Sequence, residues 1–157
     1  MAWPLGPWHN RGRQQPHGAV GGTMDEPTRI LVVDDEDVVA EMLVEVLRLE
    51  GYEVSSVRSA SEALLRLASE PFGLLITDNS MPGMSGLDLL AEARSRWPEL
   101  PVILMTAYGS IDVSIRAHEL GAAGYLLKPF DDITVVSTEV RETLERWARR
   151  RSFESGG

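Results

Sequence analysis

The chain reads as an α/β protein built on a covered parallel sheet, and three observations carry that reading. Short apolar runs alternate five times with stretches whose apolar residues recur at helical spacing. Most of the runs are too brief for helices and too continuously hydrophobic for strands with one wet face. Glycine, proline or a helix-capping serine marks the joins between them. Such alternation suits parallel strands, because each crossover between them needs a covering element.

The elements follow in order. "RILVV" (29 to 33) is a β-branched run that ends on Asp34 and Asp35. Val39, Met42, Leu43, Val46 and Leu47 recur every three or four residues, predicting a helix that stops near Gly51. "YEVSSV" (52 to 57) alternates, as a half-covered edge strand does. Ser59 caps a helix facing inward through Ala63, Leu64 and Leu67. "FGLLIT" (72 to 77) is a buried run, and Ser85 caps the next helix, with Leu87, Leu90 and Ala91 as its apolar face and Pro98 beyond its end. "PVILMT" (101 to 106) precedes a helix from Ser110 through Ile111, Ile115 and Leu120 to Gly121. "GYLLK" (124 to 128) is the last strand. A final helix runs from about Asp132 through Val136, Val140, Leu144 and Trp147 into "RRR", a charge that suits a helix C-terminus. The three richest runs, starting at Arg29, Phe72 and Pro101, belong at the sheet's centre. The expected architecture is a doubly wound, flavodoxin-like (βα)5 three-layer sandwich with strand order 2-1-3-4-5.

Composition narrows the function classes. The 157 residues carry a formal net charge of -9, which argues against this domain gripping nucleic acid through phosphates. There is no cysteine, so disulfides, thiolate metal sites and cysteine nucleophiles are excluded. No apolar run approaches the roughly 20 residues needed to cross a bilayer, and the start lacks the apolar stretch of a signal peptide. A cytoplasmic protein without membrane contact is expected. Residues 1 to 23 are rich in Gly, Pro, Gln and Arg without periodicity, and read as a disordered leader or tag. Residues 24 to 151 form the domain, and 152 to 157 a disordered tail.

Sheets of this kind bind ligands beyond the carboxyl ends of their strands. The first strand ends in Asp34 and Asp35, the third in Asp78, the fourth in Thr106 and the fifth in Lys128-Pro129. Three carboxylates, a hydroxyl and an ammonium thereby converge on one edge. Unpaired, the carboxylates raise one another's pKa and cost stability. A hard divalent cation resolves that, and Mg2+ with oxygen ligands is the usual choice, completed by phosphate oxygens. The set suits metal-assisted phosphoryl chemistry with a carboxylate nucleophile. Met81 and Met84, in the loop after Asp78, read as packing rather than ligands.

"LVVDDE", "TDNSMPGMSG", "TAYG" and "GYLLKPF" together resemble, in order and spacing, the motifs of bacterial two-component response regulator receiver domains, across about Thr28 to Arg150. That resemblance implies Asp78 as phosphoacceptor, taking its phosphoryl group from a histidine kinase or phosphotransfer protein. It implies Mg2+ held by Asp35, Asp78 and the backbone carbonyl of Ser80, with Asp34 acting through water. Lys128 would pair with Asp78 at rest, across a cis bond to Pro129, and then hold the phosphoryl group. Thr106 would bond a phosphoryl oxygen, and Tyr125 would turn inward behind it. Their movement would reshape the face of the fourth helix, fifth strand and fifth helix. Ala107, being small, leaves water a path to the acyl phosphate.

A rival reading starts from "DEDVV" (35 to 39), which also fits the D-x-D-x-[TV] pattern of haloacid-dehalogenase-like phosphohydrolases, with Asp35 as nucleophile. It leaves the Asp78 loop without a role, and Asp131 and Asp132 follow Lys128 too closely to be its second acidic pair. A flavodoxin-like cofactor binder is a poorer fit, since three carboxylates would face an anionic flavin phosphate. "TAYGSID" and "YLLKPFD" look most like the receivers of enhancer-binding, NtrC-like transcription activators. On that likeness "ERWARRR" begins a linker helix, the alternatives being a single-domain regulator or a relay module of a larger kinase. A homodimer through the fourth helix, fifth strand and fifth helix, or through the last helix, is a further expectation. Trp147 reads as a core residue in preference to a dimer contact.

Overall fold

The computed structural model describes residues 26–107, 111–130 and 132–156. Residues 1 to 23, expected to be disordered, together with Ser110 and Asp131, lie outside the described residues. Strands β1 (Arg29–Val33), β2 (Glu53–Val57), β3 (Leu74–Asp78), β4 (Val102–Ala107) and β5 (Gly124–Lys128) alternate with helices. The helices are α1 (Asp37–Leu49), α2 (Ala60–Ser69), α3 (Gly86–Arg96), α4 (Ile111–Glu119) and α5 (Ile133–Gly156). All strand pairs are parallel in the order β2-β1-β3-β4-β5, as the apolar runs predict.

Alternate residues of each strand face opposite layers. Leu31, Val33, Leu75, Val102 and Leu104 meet α2 and α3 through Ala63, Leu67, Leu89, Leu90 and Ala93. Ile30, Val32, Leu74, Ile76, Ile103 and Met105 meet α1 and α5 through Leu43, Leu47, Val136 and Val140. β3 is buried at every position, so its terminal carboxylate sits in the middle of the sheet rather than at a wet margin.

Three local expectations are corrected. In α3 the buried face is Leu89, Leu90 and Ala93, while Ala91 is exposed. The helix is rotated because Gly86 packs against the end of β3. In α4, Ile111 and Ile115 point outward, 69% and 54% exposed, and only Ala117 is buried. An i, i+4 apolar pair marks a stripe without saying which side the core lies on. Finally, α5 continues past Arg151 through Gly156, where a disordered tail was expected. The stretch holds no proline, so hydrogen bonding of the last turns can propagate. Trp147 is buried as expected; its Nε1 donates to the Glu99 carbonyl at 2.9 Å, and the Arg94 and Arg150 guanidiniums lie on its ring.

Candidate functional site

Parallel register brings the carboxyl ends of β1, β3, β4 and β5 to one edge. Val33 stands opposite Thr77, Asp78 opposite Met105, and Ala107 opposite Lys128. Asp34 follows β1 and is fully buried, Asp35 is half-buried, and Asp78 closes β3 at 4% exposure. Thr106 is buried near the end of β4.

Lys128 reaches back across the edge. Its Nζ lies 2.9 Å from Asp78 Oδ1, 3.0 Å from Asp34 Oδ2 and 3.3 Å from Glu36 Oε1. The Lys128–Pro129 peptide, whose isomer the sequence does not establish, is cis. One carboxylate oxygen from each of Asp34, Asp35 and Asp78 lies within 4.8 Å of the others. An ion pair ordinarily lowers the pKa of its acid. Here burial outweighs Lys128 and raises the Asp78 carboxyl, with the charges of Asp34 and Asp35 adding to the rise. Burial opposes the Lys128 charge too, but Asp78 and Asp34 override it and hold the ammonium above its ordinary pKa.

The donor set fits a hard cation. Asp34 Oδ1 accepts from the Glu36 backbone N–H at 2.9 Å. Asp34 Oδ2 is buried and has no aligned hydrogen bond, its contact with Lys128 being one of charge. The Lys128 charge offsets part of the cost of burying that oxygen, and its remaining lone pair is free for a cation or water. All the side-chain donors are oxygens, which matches Mg2+ and its retained waters.

The loop after Asp78 is held from several sides. Asn79 N–H donates to the Met105 carbonyl at 2.9 Å, and Asn79 Oδ1 accepts from Leu87 N–H at 3.0 Å. Ser85 and Asp88 close a capping box on α3. A Cβ on Gly86 would collide with the Asp78 carbonyl and come within 2.7 Å of Asn79 Cα, so only glycine fits. Met81 is buried in the core and Met84 packs against it, in line with the packing reading. Ser80 is exposed on this loop.

Tyr125 lies away from the charged cluster. Its register partner is Leu104, which puts its ring on the sheet face that Thr106 also uses, two residues further along. It is half-buried against the α2–α3 side of the core. Its backbone N–H donates to Glu139 Oε2 at 3.1 Å, while Arg146 donates to the Ala123 carbonyl at 3.1 Å. Side chains of α5 thus serve backbone groups of the edge strand β5 and of Ala123 just before it. They sit close: a Cβ on Gly124 would stand 2.5 Å from Thr143 Oγ1 and 2.6 Å from Glu139 Oε2.

Sequence reasoning missed Glu36, Asn79 and Glu139. Glu36 is the third acid of "DDED", and Asn79 directly follows the strand-end acid, so position alone could have flagged both. Glu139 lies inside a helix and carried no such signal. Asp132, weighed as part of a second acidic pair, is exposed and bonds Thr134 at the start of α5.

Residues 30–139 match the family model described as "Response regulator receiver domain". The chain belongs to that family. It is 45% identical to the response regulator protein FleR of Pseudomonas aeruginosa over 74% of this chain and 24% of FleR. It is 39% identical to the transcriptional regulatory protein FixJ of Azorhizobium caulinodans over 81% of this chain and 60% of FixJ. It therefore spans only part of these relatives. Among solved structures, a CheY-like receiver domain protein from Methanospirillum hungatei matches with a TM-score of 0.74 at 31% identity, covering 79% of this chain and 98% of that one. The Thermotoga maritima response regulator TrrA, solved in complex with Mg2+ and BeF, matches at 0.67 and 35%, covering 74% of this chain and 98% of TrrA. The receiver is a phosphoacceptor module of two-component signalling, and the phosphohydrolase reading centred on Asp35 is not supported.

Proposed function

We propose that Asp78 is the residue that accepts the phosphoryl group. The observation that carries this reading is its carboxylate, buried at the end of the central strand, 2.9 Å from Lys128 and beside two further acids. A carboxylate oxygen of Asp78 attacks phosphorus, and the P–N bond of the donor's phosphohistidine breaks, its imidazole leaving with a proton. Lys128 holds one phosphoryl oxygen and Thr106 another. Asp35, Asp78 and the Ser80 carbonyl would hold Mg2+ directly and Asp34 would do so through water. The ion's role is to neutralise charge on the phosphoryl oxygens. That TrrA was solved in complex with Mg2+ and BeF supports Mg2+ as the ion by analogy.

Thr106 and Tyr125 form the switch, biasing two arrangements of the α4-β5-α5 face through their differing interactions with the phosphoryl group. That face carries exposed Ile111, Ile115, Leu127, Ile133 and Val135, with a groove of about 360 Å³ beside Ala117, Tyr125 and Arg146. Such apolar surface suits a partner or a second copy of the chain. The donor is a histidine kinase or phosphotransfer protein, and the setting is the cytoplasm. Among the described residues no helix is long and apolar enough to cross a membrane. Relatives named as transcriptional regulators, FixJ and NtrC, favour an output in gene regulation.

Incubation with acetyl phosphate and Mg2+, followed by borohydride reduction and peptide mass analysis, tests the assignment. The label is expected on Asp78 and absent from Asp78→Asn. Label on Asp35, or release of phosphate without a trapped acyl phosphate, would overturn it.

A further inference from the structure

Three carboxylates surround Lys128, and the third, Glu36, has no part in the reading above. Glu36 occupies the N-cap position of α1, yet its side chain makes no capping hydrogen bond. It turns instead toward Lys128, with Oε1 3.3 Å from Nζ. Asp34 and Asp78 are buried, whereas the Glu36 side chain is 63% exposed and Lys128 only 16%. Glu36 therefore meets the ammonium from the solvent side, the side from which a donor must arrive. An ammonium offers three N–H donors. A phosphoryl oxygen that binds Lys128 competes with its carboxylates for the ammonium, and the exposed partner at the longest distance, Glu36, is the one free to move.

We infer that Glu36 is a charge gate on the donor: a specificity-determining residue that disfavours small donors in proportion to their negative charge. The inference rests on Asp78 as acceptor and Lys128 as phosphoryl ligand. A dianionic donor meets Glu36 repulsion twice that met by a monoanion at the same distance, and must also compete with Glu36 for Lys128. Because Glu36 is exposed, salt screens the penalty. A protein-borne phosphohistidine can offset it with contacts elsewhere on its own surface.

Two small donors with the same phosphoryl group separate charge from chemistry. Acetyl phosphate is a dianion near neutral pH. Phosphoramidate, protonated on nitrogen, is a net monoanion. In each case an Asp78 oxygen forms the new P–O bond. The bond that breaks is P–O to acetate, or P–N to ammonia. Initial rates of Asp78 phosphorylation are compared with both donors at saturating Mg2+ for the full chain and for Glu36→Gln and Glu36→Asp.

Glu36→Gln should raise the acetyl phosphate rate relative to the phosphoramidate rate roughly 3- to 10-fold, a one-charge effect at partly screened range. Added salt should speed acetyl phosphate transfer in the parent chain and do so much less in Glu36→Gln. Glu36→Asp, keeping the charge, should stay close to the parent ratio. If Glu36→Gln changes both rates by one common factor, or neither, the gate is refuted and Glu36 is only a structural neighbour. Failure of the parent chain to label Asp78 with either donor would instead refute the acceptor assignment.

Discussion

Helices α3 and α4 follow the neighbouring strands β3 and β4, yet they are attached to the sheet in opposite ways. The β3–α3 junction is locked by Asn79 bonding in two directions, a capping box on Ser85 and Asp88, and Gly86 pressed on the strand backbone. Behind it α3 buries Leu89, Leu90 and Ala93. Helix α4 buries only Ala117 and turns Ile111 and Ile115 to solvent. A receiver needs both kinds of attachment. On the proposed function, the Asp78 carboxylate must be held still for in-line transfer, while a responding α4 must have two arrangements close in free energy.

The contrast breaks first at Gly86. Gly86→Val drives a side chain into the backbone of Asp78 and Asn79, and should cost about 3 kcal/mol or more by urea denaturation. Leu90→Ala, in the same helix, should cost about 2–5 kcal/mol through the cavity it leaves. The matching change in α4, Ile115→Ala, should stay within about 0.5 kcal/mol while altering any self-association measured by ultracentrifugation.

A smaller effect has the opposite sign. The folded Asp78 carboxyl has a raised pKa, so folding disfavours its charged form. That penalty is absent below the ordinary carboxylate value and complete once pH exceeds the folded one. Metal-free Asp78→Asn should therefore gain stability at neutral pH, since the buried charge is removed and Lys128 keeps Asp34 and Glu36. Denaturation midpoints should converge with the parent's in acid.

The smallest effect lies at the opposite end of the sheet and serves as a control. Hydrogen bonds from Arg66 and Arg29 hold Glu70 down at about 2. A lowered pKa stabilises above the ordinary carboxylate value, and the contribution is lost as pH falls toward about 2. With 32% of its side chain exposed, Glu70→Gln should cost less than about 1 kcal/mol at neutral pH and leave phosphorylation unchanged.

Much of this was legible from sequence because buried parallel strands read as unbroken apolar runs, and strand ends are where such sheets act. Asp34, Asp35, Asp78 and Lys128 could be placed at one edge from topology alone. What sequence did not carry is orientation about a helix axis. Ala91 and Leu89 are both plausible inward residues until Gly86 docks and sets the rotation. Ile111 and Ile115 fit a core stripe as well as an exposed one. The contacts of Glu36 and Glu139 depend on side-chain reach across elements, 92 residues apart for Glu36 and Lys128, which no local pattern encodes.

Amide hydrogen exchange with and without phosphorylation measures the division between acceptor and responder directly. Helix α3 should exchange slowly and unchanged, whereas α4 and the start of β5 should exchange faster and shift when Asp78 is phosphorylated. Equal protection of α3 and α4 before phosphorylation, or a shift centred on α3, would contradict the account.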